Sequence, residues 1–467
     1  MNHPEPPFVG TERFRTSAQQ TGTAGEVGES WPWRDEGGIR GGVERRRDRY
    51  AVGVIITHLN ACVSTIPRIQ VILCGMRIPA FILSILSMSI VPALGQGGAR
   101  ESVAKGITER RLELPVVPYS YATNDYPHHI QKVLDLFDNT PDSNPITNAG
   151  ATLGRVLFYD ASLSANGAVS CSSCHSQTTA FSDARRFSTG FEGKEVDRNS
   201  MSLVNLRFYR PGKFFWDERA NSLEDQVLMP IENPVEMGHK LTVLVTQLQN
   251  DPIYPPLFQD AFGTAEVTER RLSRALTQFI RSMVSVRSRY DLGRDAVSSV
   301  HDPFPNFSEQ ENYGKQQFFG RARCSECHLP EIDGENGPLS QSAFFQLHTP
   351  LVNGIDSDSK DVDGGVGTVS GRPEDWGRFK ASSLRNIELT APYMHDGRFR
   401  TLDQVIEHYN WSVKPHRNLD RRLKDFSANG LALPEVEKVA LAEFLKTLTD
   451  QRFVDDPKFS DPFVNVE

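Results

Sequence analysis

Two five-residue stretches decide how this chain is read: Cys171-Ser172-Ser173-Cys174-His175 and Cys324-Ser325-Glu326-Cys327-His328. In each, two thiols three positions apart run directly into a histidine. That spacing lets the thiols form thioethers with the vinyl groups of one haem while the histidine reaches the iron from the proximal side. The same residue types could hold a zinc ion or work as a thiol–disulfide pair. Two features select haem: both motifs end in His, and both lie downstream of a secretory pattern. The other cysteines, Cys62 and Cys74, precede that pattern, so a processed chain keeps no thiol for a disulfide. The expectation is a di-haem c-type protein.

Around the motifs the signals are helical. Thr268 opens a run from Glu269 to Ser285 in which Leu272, Leu276, Phe279, Ile280 and Met283 recur at helical spacing. Ser308 with Glu311 forms a capping box, and Gly320 stops that helix just before the second motif. Thr401 with Gln404 makes a second box, opening a helix through Val405, Ile406 and Tyr409. Pro434 starts a helix over Val436–Leu448, with Val439, Leu441, Phe444, Leu445 and Leu448 as its apolar positions. Strand-like alternation is scarce. Leu153-Gly154-Arg155-Val156-Leu157-Phe158-Tyr159 and Tyr313-Gly314-Lys315-Gln316-Gln317-Phe318-Phe319 resemble each other, each ahead of one motif, which is a weak internal repeat. His301-Asp302-Pro303-Phe304-Pro305-Asn306 separates the halves, because its prolines cannot continue a helix.

The first 95 residues differ from the rest. They carry 10 Arg, no Lys and 8 acidic residues, and 1–50 has no apolar periodicity, which reads as disorder. Met76-Arg77 is followed by an apolar run from Ile78 to Val91 and then Pro92-Ala93-Leu94-Gly95. A positive start, a short apolar core and small residues at −3 and −1 make a secretory signal peptide over 76–95. The rival is a buried helix or an anchor beginning at Arg45–Arg49. On the first reading 1–75 is a mis-called extension, and the compartment is the periplasm. Composition fits a globular chain: 467 residues, 38% hydrophobic and 24% charged, with no room for many spans. A net charge of −8 excludes a broad nucleic-acid-binding face.

Between and after the motifs stand Phe214-Phe215-Trp216-Asp217, Asn233-Pro234-Val235-Glu236-Met237 and Leu384-Arg385-Asn386-Ile387-Glu388-Leu389-Thr390-Ala391-Pro392-Tyr393-Met394-His395-Asp396-Gly397. With the Leu157-Phe158-Tyr159-Asp160 lead-in and both haem motifs, they resemble the bacterial di-haem cytochrome c peroxidase family, including its MauG branch, over roughly residues 145–450. The resemblance implies a mainly α fold of two cytochrome c-like haem domains, a peroxidatic one at 96–302 and an electron-transfer one at 303–467. It implies Glu236 as the distal acid–base group, Gln226 as its hydrogen-bonding neighbour and Trp216 as the bridge between haems. A carboxyl desolvated in such a pocket has its pKa raised, which suits proton shuttling. Read alone, Glu236 is a solvated turn residue and Trp216 a core residue. The resemblance also implies a calcium ion held by Asn199 with the carbonyls of Thr390 and Pro392; oxygen ligands suit a hard cation.

Two counts separate the branches. Eight residues before Asn199, where activation-dependent relatives carry a distal His, stands Phe191, and the loop 188–193 holds no His, Met or Lys. Fourteen residues after His395, where those relatives carry a Met ligand, stands Tyr409. Both point to the MauG-like arrangement: an open first haem on His175 and a second held by His328 and Tyr409. His395 is then a haem-propionate partner, and His408 a rival ligand. His128, His129 and His416 read as solvated, and His239, His301 and His348 as loop or surface residues. Met229, Met237 and Met394 read as core. The expected activity is reduction of hydrogen peroxide by a small c-type cytochrome or cupredoxin. The alternatives are a protein-modifying oxidase acting on partner Trp or Tyr, and a pure electron carrier. No nucleic acid, no membrane span after signal cleavage, and a monomer or homodimer complete the expectation.

Overall fold

The computed structural model describes residues 110–123, 125–328 and 343–465. The expected extension, 1–75, and signal peptide, 76–95, lie outside the described residues. The described residues group as one compact unit, mainly helical, with one two-stranded sheet among them.

Two helix pairs organise it. In the first, α1 (Asn148–Tyr159) crosses α2 (Glu269–Ser282); in the second, α3 (Glu309–Phe319) crosses a C-terminal helix over Glu435–Lys446. The caps follow the sequence. Thr147, Thr268 and Ser308 each accept a bond from the backbone N–H three residues on, and Ser308 and Glu311 close a full capping box. Both crossings depend on a glycine. A Cβ at Gly154 would lie 2.0 Å from the Ala275 carbonyl oxygen, and one at Gly314 would lie 1.8 Å from that of Ala440. Only a hydrogen lets the backbones approach so closely. The next contacts also correspond: Phe279 Cβ in the first pair and Phe444 Cβ in the second.

The correspondence runs far beyond the seven residues legible in sequence. Asn205 and Asn386 both adopt φ near +60°, at 60° and 59°, each just before a single turn of 3-10 helix. The Asn205 N–H donates to Met283 O, and Asn205 Oδ1 accepts from Ser285 N; Asn386 does the same with Leu448 O and Asp450 N. Phe181 and Phe345 both turn with positive φ, and their carbonyls accept from Leu203 and Leu384. The halves are one design used twice.

Each crossing nucleates a core. The first collects Leu153, Leu157, Phe158, Leu276 and Phe279, and the second Phe318, Leu441, Phe444 and Tyr290. Burying each such side chain is worth about 1.5–3 kcal/mol. The last stretch of chain returns to the first core, inserting Phe453 and Phe459, while β1 (Arg110–Leu112) pairs antiparallel with β2 (Phe463–Asn465). A further pair of groups joins the halves: buried Arg385 makes a bidentate ion pair with buried Asp291 at 2.8 Å.

Several expectations are corrected. The helix from Glu269 ends at Ser282, not Ser285. In the C-terminal helix Val439 is exposed and Ala440 is buried instead, where that helix's backbone meets Gly314. The helix opened by Thr401, α4 (Leu402–Glu407), stops before Tyr409, and the chain widens into a π-turn over His408–Ser412. Gln404 reaches back to the N–H of Arg400 rather than that of Thr401, so the second box is incomplete. His129 and His416 are not solvated: their side chains are 7% and 2% exposed, and His129 bridges Asp291 and Asp295. Met229 is exposed rather than core.

Candidate active site

Two cavities hold the expected chemistry. The first, about 630 Å³, is lined by Cys171, Cys174, His175, Gln226 and Glu236. The second is a tighter cleft of about 220 Å³, lined by Cys324, Cys327, His328, Tyr409 and His395. Trp216 and Asn199 line both.

The walls fit a covalently held haem. All four cysteines are free thiols, and burial pushes Cys171 and Cys324 up to about 12, so they are uncharged and not poised as thiolates. The His175 Nδ1–H faces the Phe181 carbonyl at 2.9 Å, which orients Nε2 as the free ligand atom. Burial lowers the pKa of His175, and that of His328 to about 4, so both imidazoles are neutral, as metal ligation needs. His175 and His328 would hold the two irons, and the thiols the vinyl carbons. No cluster of three His, Cys, Asp or Glu suited to a metal ion occurs among the described residues.

Over the first cavity, Glu236 accepts a hydrogen bond from Asn233 Nδ2 at 2.7 Å. Burial raises its pKa, and the Arg219 guanidinium and that amide act in the opposite direction. Arg219 stacks on Phe215 at 3.5 Å from the ring centroid and donates to Asp217. The sequence reading missed Arg219, although it stands three residues after Trp216. The loop carrying Phe191 is tied down: Phe191 N–H donates to the Glu236 carbonyl at 2.9 Å, and the ring covers Gly238. That position presents a hydrocarbon ring, with no ligating atom.

Between the cavities, Trp216 Nε1–H donates to the Asn199 carbonyl at 2.8 Å. The backbone there is reciprocal: Asn199 N–H donates to His395 O at 2.8 Å, and Lys380 N–H donates to Trp216 O at 2.9 Å. Asn199, Thr390 and Pro392 all line the second cavity. The Asn199 side-chain amide is held by the carbonyls of Arg185 and Arg186, leaving its Oδ1 with no protein donor among the described residues.

At the second cavity the π-turn carries Tyr409 into the lining shared with His328, where burial pushes the phenol up and the Asn353 amide pulls it down. π-Turns of this kind recur at functional positions. His408 points elsewhere, its Nε2–H donating to the Asn353 carbonyl at 3.1 Å. It is not among the residues that line the cavity. His395 stacks on Phe379 with ring centroids 3.8 Å apart.

Comparison with known proteins agrees with this architecture. The profile of a family described as di-haem cytochrome c peroxidase matches residues 148–295. The methylamine utilization protein MauG of Methylophilus methylotrophus is 31% identical over 313 residues, covering 66% of this chain and 84% of that protein. The cytochrome c551 peroxidase of Nitrosomonas europaea is 31% identical over 317 residues, covering 67% and 83%. Among solved structures, a MauG-like protein associated with microbial copper homeostasis superimposes with a TM-score of 0.61 at 30% identity, covering 74% of this chain and 99% of that one.

Proposed function

The chain belongs to the di-haem cytochrome c peroxidase and MauG family, and from that premise we propose that it reduces hydrogen peroxide in the first cavity with electrons relayed from the second. Members of this family carry two c-type haems, and an oxidoreductase acting on peroxide follows from membership. The proposed organisation is two cytochrome c-like domains, 96–302 and 303–467, in a periplasmic protein. Among the described residues no helix is long and apolar enough to cross a membrane.

The carrying observation is the placement of half-buried Glu236, held by Asn233, among the residues that line one cavity with His175 and Gln226. A haem held there by His175, Cys171 and Cys174 would supply the electrons that break the peroxide O–O bond. The chain's residues do the proton work. Glu236 takes a proton from the near peroxide oxygen and delivers it to the far oxygen, which leaves as water. Gln226, which lines the same cavity, orients the peroxide. Arg219, beside Glu236, keeps the carboxyl from being held in its protonated form. Trp216, common to both walls, is the polarisable matter between the cavities, and its Nε1–H bond to Asn199 fixes the indole plane. Asn199, Thr390 and Pro392 are the proposed calcium ligands.

A second reading, oxidation of Trp or Tyr on a partner protein, draws on Tyr409 in the second cavity and on the absence of a ligating side chain at Phe191. Stopped-flow absorbance of the haem-loaded chain mixed with peroxide tests the proposal. A rapid spectral change followed by steady turnover with a reduced small cytochrome or cupredoxin supports peroxidase function. A rapid change without such turnover favours the protein-modifying reading. No peroxide-induced change leaves an electron carrier and overturns both.

A further inference from the structure

Gln226 lines the first cavity from a single helical turn, Leu223–Gln226, and that turn is held from several directions. Ser222 caps it, its Oγ accepting from Asp225 N–H at 3.0 Å, and Leu223 is buried in the first core. The strongest hold is ionic. Arg281, buried in the last turn of α2, donates through both terminal nitrogens to the Glu224 carboxylate, at 2.6 and 2.8 Å. Asn144 Nδ2 and Thr277 Oγ1 donate to the same carboxylate at 2.9 and 3.2 Å. The Glu224 backbone is fixed as well, because Ser273 Oγ donates to its carbonyl at 2.7 Å. Burial raises the Glu224 carboxyl, but the Arg281 guanidinium outweighs it and brings the group down to about 2, so the pair is charged throughout the neutral range.

The matching turn of the second half has no such pair. Phe214 and Ala220 bridge as Tyr393 and Phe399 do, and Ser222 caps its turn as Thr401 caps α4, so Glu224 corresponds to Asp403. Phe279 and Phe444 correspond across the two helix crossings, which sets Arg281 against Lys446. Asp403 is exposed, and Lys446, 43% exposed, pairs with Glu443 of its own helix. The difference follows the chemistry expected of each cavity. A distal side chain that ligates iron is held by the metal, as Tyr409 would be. Gln226 has no such bond to hold it. A buried ion pair adds little net stability over apolar groups of the same volume, because desolvation offsets the attraction, whereas a bidentate fork fixes direction and distance.

We propose that the Glu224–Arg281 ion pair is the positioning device for Gln226: it locks the turn to α2 and so sets where the Gln226 amide stands in the first cavity. This rests on the reading of Gln226 as the group that orients peroxide. Neither member of the pair lines the cavity. Both act through the backbone that leads, two residues on, to Gln226.

The full chain with both haems attached is the test material. Its double variant Glu224→Gln/Arg281→Met leaves no charge buried alone. That variant is expected to react with peroxide about 10–100-fold more slowly, since a misplacement of about 1 Å costs up to roughly 10²-fold. Carbon monoxide on the reduced first haem reads the distal amide without turnover: its infrared stretching band should move in the same direction as in Gln226→Ala. In a Gln226→Ala background the double variant should change neither rate nor band further, which a general loss of packing would not reproduce. An unchanged rate and band in Gln226→Ala overturns the reading of Gln226 and the proposal with it. A slowed Gln226→Ala beside a double variant with unaltered rate and band overturns the proposal alone, even if the double variant melts earlier. So does a double variant whose effects add in full to those of Gln226→Ala. Should the double variant not accumulate, Ser273→Ala, which frees the Glu224 carbonyl and removes no charge, decides alone: a band shift that Gln226→Ala abolishes supports the proposal, and an unmoved band overturns it.

Discussion

Replacing Gly314 with alanine tests the crossing on which the second half is built. An ideal Cβ at 314 stands 1.8 Å from the Ala440 carbonyl oxygen and 2.9 Å from Phe444 Cβ. Real Cβ contacts essentially never fall under 3.0 Å, so α3 and the helix over Glu435–Lys446 must part by at least the 1.2 Å between 1.8 and 3.0 Å. Neither obstacle is the free end of a side chain. One is helix backbone, and the other is the root of Phe444, whose ring packs against Phe318 and Tyr290 at 5.1 and 6.0 Å between centroids. Overpacking of this kind costs ~1–3 kcal/mol, and the backbone movement puts it at the upper end. Alanine's better helix propensity returns about 1 kcal/mol. The net is ~2 kcal/mol, which for a unit this large lowers Tm by about 4 °C. Far-UV circular dichroism melts of Gly314→Ala and of the matching Gly154→Ala should show losses of similar size. A Tm equal to or above that of the unsubstituted protein would mean that the crossing has room for a methyl group, and the argument from close approach would be wrong.

Glu236→Gln should leave both haems attached and slow the reaction with peroxide by about 10²–10⁴. Because burial raises the Glu236 pKa and the base form is the one that takes the proton, the wild-type rate should rise with pH through that raised pKa, and Glu236→Gln should lose this limb; stopped-flow rates across pH check both. Tyr409→Phe should open the second haem with little loss of fold, and Tyr409→Met should raise its potential by roughly 100 mV or more, within the ~0.8 V that axial ligands command. An unchanged second-haem spectrum in both would remove Tyr409 as ligand. Phe191→His should convert part of the first haem to a low-spin ferric form in EPR, since the 191 backbone is already bonded to Glu236 O; an unsubstituted protein showing only low-spin signals would refute the open site.

What the sequence made legible was local. Capping chemistry at Thr268 and Ser308 marks helix starts because the bonds span three residues. The haem motifs are legible because thioether geometry needs fixed spacing. Resemblance brought Glu236, Gln226 and Trp216 to notice, and all three line one cavity. The rest depends on pairs far apart in the chain. Nothing near Val439 shows that Gly314 will meet the backbone of the next residue while the valine faces outward. Tyr409 is offered to the cavity by a widened turn that a 3.6-residue period cannot express. His129 looks solvated beside His128 until Asp291 and Asp295 arrive from more than 160 residues away. Glu224 looks like an ordinary surface carboxylate until Arg281 arrives from 57 residues along the chain.

The return of the C-terminal segment sets an order of events in time. Phe453 and Phe459 are part of the first core, pressing on Phe181 with ring centroids 5.8 and 6.3 Å away, and Phe181 supplies the carbonyl that faces His175. The half that leaves the ribosome first therefore cannot complete its own interior until the final residues have been made. A chain shortened before 453 would lack those rings in its older half while keeping the second helix crossing whole. Damage at the tail is felt at the head. Limited proteolysis of nascent or tail-clipped chains should thus find cuts clustering around the first haem motif rather than near the clipped end.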